Sequence, residues 1–375
     1  MKYYLIAGEA SGDLHGANLM KSILKEDPDA EFRFWGGDLM HDVGGSIVKH
    51  YRELAFMGFI EVILNLFTIL KNIKLCKQDI VDYKPDVLIF IDYPGFNLRI
   101  AKWAKEKGFR THYYISPQIW AWKEGRIKSI KKCIDAMYVI LPFEKPYYEK
   151  KHQFPVNFVG HPLIDAIANH QQIMPDDFKN KHGLDDRPII AILPGSRKQE
   201  IKKMLEVMLS IVDDFPDHQF IIAGAPSQDA EFYAPFIKKD GVHLVINQTY
   251  DLLSLSNAAL VTSGTATLET ALFKVPEVVC YKGSAISYQI AKRVINLDYI
   301  SLVNLIMDKP VVTELIQGDF NTTRLKQELT TILDDYKRAV MFLEYYDLEK
   351  KLGGKGASDK TANLIVETIK QHTTG

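Results

Sequence analysis

Apolar residues fall along this chain in short runs separated by longer amphipathic stretches. In the first half, Tyr3–Ala7, Phe32–Trp35, Val87–Ile91, Thr111–Ile115 and Ala136–Ile140 read as strands, and helical patterns fill the gaps. After a polar, irregular stretch at 169–186 the alternation restarts with Ile189–Leu193, Phe220–Ala223, Val242–Ile246, Ala259–Thr262 and Val278–Tyr281. Such alternation predicts parallel sheets wrapped by helices. It places two α/β domains at 1–168 and 186–340, followed by amphipathic helical sequence at 341–375. Ligands of such sheets bind at the carboxyl ends of the strands, so the loops that follow each run hold the candidate chemistry.

A length of 375 residues suits two ordinary domains, and 47% hydrophobic with 25% charged residues is the composition of a soluble globular protein. The formal net charge of −1 offers nucleic acid no global field. Cys76, Cys133 and Cys280 are far apart and match neither a disulfide framework nor a metal motif, which suits a reducing cytosol. The N-terminus runs as a strand straight into a glycine turn and lacks the shape of a signal peptide.

The most informative loop follows Ala259–Thr262. Ser263-Gly264-Thr265-Ala266-Thr267 leads into Leu268-Glu269, a helix start. Small side chains there let backbone N–H groups and the helix dipole hold a phosphate. The alternative is an ordinary helix capped by Ser263 or Thr265. Leu193-Pro194-Gly195-Ser196-Arg197 is a second turn of this kind, and the Arg197 guanidinium can grip an anion with two donors. Two phosphate-competent turns at one sheet edge suit a diphosphate.

In the first half, the Gly8–Gly16 loop is glycine-rich but is neither G-x-G-x-x-G nor a Walker motif. Glu9 sits at a strand's carboxyl end, and Ser11, Gly12 and Asp13 follow, as ligand contacts or as helix caps. Asp92, directly after the apolar run Val87–Ile91, is placed as a partly desolvated base or as the start of an Asx turn before Pro94. Trp120-Ala121-Trp122 is an aromatic wall or a core corner. Leu54–Leu70 is broadly apolar, with one polar stripe through Glu61, Asn65, Thr68 and Asn72. It is marginal in length for a bilayer span, and Glu61 would be costly at its centre. It is therefore a buried helix or a lipid-facing one, with Phe56, Phe59, Ile60 and Ile63 on its apolar side. Lys71, Lys74, Lys77 and the run Lys123, Arg126, Lys128, Lys131, Lys132 supply charge for anionic headgroups, or are simply solvated. Asp27 and Asp29 straddle Pro28 as a turn, and no metal-ligand cluster turns up.

Seven motifs occur in one order: Gly8–Asp13, Ser116–Trp122, Leu141-Pro142-Phe143-Glu144, Gly160-His161-Pro162, Leu193–Arg197, Ser263–Glu269 and Tyr299–Asn304. Over roughly residues 3 to 350 the chain closely resembles the lipid-A-disaccharide synthases. The resemblance implies a GT-B fold: two Rossmann-like parallel-sheet domains facing a cleft, with C-terminal helices crossing back to the first. It implies an inverting, metal-independent hexosyl transfer without a cofactor. UDP-2,3-diacylglucosamine would be the donor and 2,3-diacylglucosamine 1-phosphate the acceptor. The products would be the β-1,6-linked lipid A disaccharide 1-phosphate and UDP.

By position, Glu9, Asp92, Arg197 and Asn304 match polar residues that family uses at its active site. Where the family often has Asp-Ala-Pro-Asp-Phe-Asn, this chain has Asp92-Tyr93-Pro94-Gly95-Phe96-Asn97, so a second carboxylate is lost at Gly95. The resemblance assigns Asp92, with Glu9 as the other candidate, to catalysis. It assigns Gly195, Ser196, Arg197, Ser263, Gly264, Thr265, Ala266, Thr267, Glu269 and Asn304 to UDP. Ser11, Gly12, Phe56, Phe59, Ile60, Ile63 and Trp120 fall on the acceptor and lipid side. The expected setting is a Gram-negative cell, peripherally on the cytoplasmic face of the inner membrane against anionic phospholipid, with a homodimer left open. A UDP-N-acetylglucosamine 2-epimerase of similar architecture is the alternative.

Overall fold

A computed structural model describes residues 1–54, 66–283 and 298–373. Contacts divide the chain into two compact units, one of Met1–Ala166 with Leu352–Gly375 and one of Ile167–Lys351. The first holds a parallel sheet of β1 (Lys2–Ala7), β2 (Glu31–Gly36), β3 (Ser46–His50), β4 (Val87–Ile91), β5 (Thr111–Tyr114), β6 (Ala136–Val139) and β7 (Asn157–Phe158), in the order β3-β2-β1-β4-β5-β6-β7. The second holds β8 (Ile189–Leu193), β9 (Gln219–Gly224), β10 (Val242–Ile246), β11 (Ser256–Thr262), β12 (Glu277–Tyr281) and β13 (Thr313–Ile316), in the order β10-β9-β8-β11-β12-β13. In each sheet the order reverses beside the first strand, between β1 and β4 and between β8 and β11. That is the switch point at which doubly wound folds bind ligands.

Central strands β4 and β8 are apolar throughout and buried at every position, because helices cover both faces. Each such side chain stabilises the fold by roughly 1.5–3 kcal/mol relative to exposure. The strands that the apolar pattern does not reveal, β3, β7 and β13, all lie at sheet edges. Edge strands are short and half-solvated, so their apolar signal is weak. The stretch 169–186 is not irregular throughout, since it contains the helix Pro175–His182. Its signals are proline at the first position, Asp176 and Asp177 in the first turn and left-handed Gly183 after the last.

The helix Asp335–Lys351 stays with the second unit, and the helix Ala357–Thr373 packs against Ala10–Glu26 in the first. Asp165 fixes the start of that last helix, accepting from the N–H groups of Gly356 (2.7 Å) and Ser358 (3.1 Å).

One core position breaks the pattern. Glu277 opens β12 fully buried, and neither carboxyl oxygen has a partner among the described residues. Burial pushes this acid well above its ordinary value of 4.5. A raised carboxyl favours the folded state less as pH climbs, because the unfolded chain ionises first. The cost is absent below the unfolded value and present through neutrality. Glu277→Met, similar in volume, should therefore raise the melting temperature at neutral pH, by roughly 1–3 kcal/mol of stability. The gain should fade in melts at about pH 4, below the ordinary carboxyl value; equal gains at both pH values would refute the titration account.

Candidate active site

In the first unit, β1 and β4 lie in register, with Ala7 opposite Ile91, so Gly8-Glu9 and Asp92-Tyr93 leave the same edge side by side. Glu9 is the extended N-cap of the helix Ala10–Glu26, but its exposed side chain makes no capping bond. Asp92 extends the ladder, its N–H donating to the Tyr114 carbonyl at 3.1 Å. The chain then turns through two left-handed residues, Asp92 at φ +45° and Tyr93 at φ +48°. Two consecutive non-glycine residues there store strain, which persists only where neighbours enforce it. The neighbours are Asn97, whose Nδ2 donates to the Asp92 carbonyl at 2.7 Å, and Tyr113, whose hydroxyl donates to it at 2.6 Å. Gly8 is required beside this turn: a Cβ there would lie 2.3 Å from Tyr93 Cδ1.

The Asp92 carboxyl is pushed up to about 6, chiefly by burial and further by the charge of Glu9, against the opposing N–H of Tyr93. A carboxylate in that range accepts a proton near neutral pH, as a general base must.

Other residues of this unit have structural duties. Ser11 is exposed, whereas Gly12 is buried against Ala7, where a Cβ would meet the Ala7 Cβ at 3.1 Å. Asp13 does not cap its own helix. It accepts from the N–H groups of Gly37, Leu39 and Met40 at 2.7–3.1 Å, and so caps the helix Asp38–Val43. Trp120 is half-buried and donates through Nε1 to Glu144 at 3.2 Å. The buried Glu144 also accepts from Ser116 Oγ (2.6 Å) and from the N–H groups of Ile140 and Leu141 (3.1 and 2.9 Å). Two of the sequence motifs thus meet at one internal carboxylate. Phe56, Phe59, Ile60, Ile63, Glu61 and Asn65 lie outside the described residues.

In the second unit a cavity of about 360 Å³ beside β13 includes Asn304, and a separate one of about 330 Å³ lies at the carboxyl edge of β8, β9 and β11. The latter is lined by Gly195, Ser196, Ser263, Gly264, Thr265, Ala266 and Glu269, and by Glu200, Ala225 and Thr249, which the motifs did not single out. Its walls are two helix starts, Lys198–Met208 and Thr265–Leu272, and neither has a side-chain cap. Gly264 occupies the N-cap of the second, and the Ser263 hydroxyl donates instead to the Ile300 carbonyl at 2.9 Å. The capping alternative for Ser263 and Thr265 therefore fails, and the first N–H groups of that helix are left for a ligand. Gly195 adopts φ +96°, with Glu200 Oε2 2.7 Å from where its Cβ would stand, so both conformation and space call for glycine.

Burial raises the Glu269 carboxyl, while the Tyr250 hydroxyl, donating to Oε1 at 3.0 Å, opposes the rise. A carboxylate in a phosphate-sized cavity repels the phosphate itself but accepts from sugar hydroxyls.

Three expected contacts do not line this cavity. Thr267 is buried, and its hydroxyl donates to the Gly264 carbonyl at 2.9 Å, which shapes the turn. Asn304 is buried with its carboxamide fully used: Nδ2 donates to Val312 and Glu314, and Oδ1 accepts from Val311 and Val312, all at 2.8–3.0 Å. Glu314 also accepts from the N–H groups of Ile300 and Ser301, so it locks the motif Tyr299–Asn304. Arg197, N-cap of Lys198–Met208, is exposed. Its guanidinium forms no hydrogen bond or ion pair among the described residues, unlike Arg33 with Asp79 or Arg187 with Asp185.

Known proteins agree with this architecture. The family model described as lipid-A-disaccharide synthetase matches residues 3–366. The chain is 39% identical over 373 residues to a lipid-A-disaccharide synthase of Geobacter sulfurreducens, covering 97% of this chain and 96% of the relative. It is 40% identical over 377 residues to that of Syntrophus aciditrophicus, covering 98% and 97%. Among solved structures, a Staphylococcus aureus MnaA–UDP complex superposes with TM-score 0.68 at 14% identity, over 100% of this chain and 97% of that one. The UDP-GlcNAc-bound 2-epimerase of Neisseria meningitidis gives 0.66 at 15%, over 99% and 100%. The calicheamicin glycosyltransferase CalG4 gives 0.60 at 14%, over 98% of each. At such identities these structures share the GT-B fold and carry no statement about activity. The near-complete match to the family model and to relatives of about 40% identity is of another order, and by it this chain belongs to the lipid-A-disaccharide synthase family.

Proposed function

We propose that the chain joins UDP-2,3-diacylglucosamine to 2,3-diacylglucosamine 1-phosphate with inversion, releasing UDP. The observation that carries this is the cavity at the carboxyl edge of β8, β9 and β11, walled by two uncapped helix starts and lined by seven of the residues the motifs assign to UDP. Diphosphate oxygens would accept from the N–H groups of Ser196, Thr265 and Ala266 and from Arg197, and the ribose hydroxyls would donate to Glu269. Asp92 would take the proton of the acceptor's 6-hydroxyl as its oxygen attacks the donor's C1. The C1–O bond to UDP then breaks, with its electrons leaving on the diphosphate. Incubation with donor, with and without acceptor, tests the assignment: acceptor-dependent UDP release supports it, and isomerised donor would mean an epimerase instead.

Both substrates carry acyl chains, which favours a lipid-facing surface. No helix among the described residues is long and apolar enough to cross a membrane. The helix Leu66–Tyr83 buries Asn72, Cys76 and Ile80 but turns outward a face with Phe67 (87% exposed), Leu70 (52%), Lys71 and Lys74. Trp122 is 46% exposed, with Lys123 Nζ 4.2 Å from its ring centre. Nearby in the sequence, Lys102, Lys105, Lys128 and Lys132 line a groove of about 430 Å³. Exposed aromatics among lysines suit peripheral binding to anionic headgroups on the cytoplasmic side of the inner membrane. Flotation with anionic vesicles at low salt should retain the wild type and lose much of Phe67→Ser/Leu70→Ser, and added salt should release the wild type. Equal flotation of the double variant would remove this helix from the membrane contact.

A further inference from the structure

The cavity carboxylate Glu269 is held from behind by a residue outside every motif. Tyr250, on the helix Thr249–Ser254 that follows β10, donates its hydroxyl to Glu269 Oε1 at 3.0 Å. Its ring is itself fixed, 5.2 Å from that of Phe273 and edge-on to His170 at 5.5 Å. His170 Nε2 lies 2.8 Å from Asp251 Oδ1, and Asp251 Oδ2 accepts from Gln248 Nε2 at 3.1 Å. Three stretches of one unit thus converge behind one side chain. Oε1 is occupied, whereas Oε2 has no partner among the described residues and belongs to a group lining the cavity.

We propose that Tyr250 is a positioning residue for nucleotide recognition: by holding Oε1 it aims Oε2 of Glu269 at the vicinal ribose hydroxyls of a nucleoside diphosphate sugar, and so sets selectivity for ribonucleotides. This rests on the reading of the cavity as the UDP site. The geometry also keeps Glu269 in its useful form. A protonated acid would present a donor where the diol needs acceptors, and a phenol hydroxyl on one oxygen favours the carboxylate. The other charged or titratable groups on the elements around it are Glu200 across the cavity, Arg197 at the start of the helix Lys198–Met208, and the His170–Asp251 pair behind Tyr250. None of these changes in a Tyr250 variant.

The test is calorimetric binding of UDP and of 2′,3′-dideoxy-UDP to full-length wild type, Tyr250→Phe and Glu269→Gln, from acid to mildly alkaline pH. Phe keeps the ring contacts and removes only the hydroxyl. UDP should bind Tyr250→Phe about tenfold more weakly, the scale of one hydrogen bond to a charged group. The pH at which UDP affinity begins to fall on acidification should move upward. Dideoxy-UDP should bind Tyr250→Phe and wild type alike, and donor KM should rise more than kcat falls. UDP affinity unchanged in Tyr250→Phe, or equal losses for UDP and dideoxy-UDP, would overturn the proposal. If Tyr250→Phe melts early, Glu269→Gln decides: it should lose UDP affinity and spare dideoxy-UDP, and failure of that selectivity counts against the proposal equally. Wild type that binds no UDP overturns the nucleotide reading itself; wild type weakened by Glu269→Gln but not by Tyr250→Phe overturns only the role of Tyr250.

Discussion

Asp92→Asn is expected to lose roughly 10²–10⁴-fold in turnover, the usual worth of a positioned general base, while binding both substrates. Asn is nearly isosteric and is among the few non-glycine residues that tolerate the left-handed backbone found at this position. Its carbonyl would still accept from Asn97 and Tyr113, so the turn survives the change. What it cannot do is take a proton. Wild-type kcat/KM should fall on acidification through about pH 6, where this carboxyl becomes protonated, and the variant should lack that limb.

Stability should move the other way. A carboxyl raised from 3.8 to about 6 costs folding free energy once pH exceeds the lower value, and the cost is complete above the upper one. Asp92→Asn should therefore melt higher than wild type at neutral pH, by an amount on the order of 1–3 kcal/mol, and no higher near pH 3.5. Lost activity with gained stability is hard to obtain from a residue that is merely a turn. Glu9→Gln separates the two carboxylates: it should shift the acid limb downward by removing a like charge, while leaving turnover above pH 7 largely intact. If Glu9→Gln instead abolishes turnover and Asp92→Asn does not, the roles are reversed.

The sheets were legible because a central parallel strand buried on both faces can only be an apolar run; Val87–Ile91 and Ile189–Leu193 coincide with β4 and β8. Edge strands escape this logic. Ser46–His50 is half-exposed, and Thr313–Ile316 carries a threonine and a glutamate that the edge tolerates. The helix Pro175–His182 carries terminal signals in Pro175, Asp176, Asp177 and Gly183, but its low hydrophobicity, with Phe178 as its one buried residue, makes the stretch read as irregular.

Site residues divide along a similar line. Local motifs reveal backbone turns, so Gly195, Ser196 and Ser263–Ala266 appear together at one cavity. They do not reveal what a side chain reaches across the fold. Asp13 reads as a cap and is one, but for a helix 25 residues onward. Glu144 belongs to the motif Leu141–Glu144 with no role assigned by the sequence, yet it gathers Ser116 and Trp120 from 24 to 28 residues away. Asn304 reads as a ligand contact, yet every polar atom of its side chain is used within the fold. Glu200 and Tyr250 stand in unremarkable helical sequence, and only proximity to Gly195 and Glu269 gives them meaning.

Arg197→Ala should cost roughly 10–100-fold in kcat/KM, the equivalent of about 1.5–3 kcal/mol for a charge-assisted hydrogen bond. The argument is partly one of contrast. An exposed guanidinium at the first turn of a helix gains nothing from the macrodipole, whose positive end it faces. Nor does any carboxylate among the described residues pair with it, so its cost to the fold is offset by nothing the fold supplies. A bound diphosphate reverses both terms at once, because it neutralises the guanidinium and completes the helix start. The free variant should accordingly be as stable as wild type, or slightly more so, while UDP should raise its melting temperature less than it does for the wild type. Arg197→Lys should recover only part of the loss, since an ammonium gives the charge without the planar fork. Turnover and UDP affinity both unchanged in a folded Arg197→Ala would place the leaving group elsewhere. Loss of stability without any ligand would make Arg197 a structural residue after all.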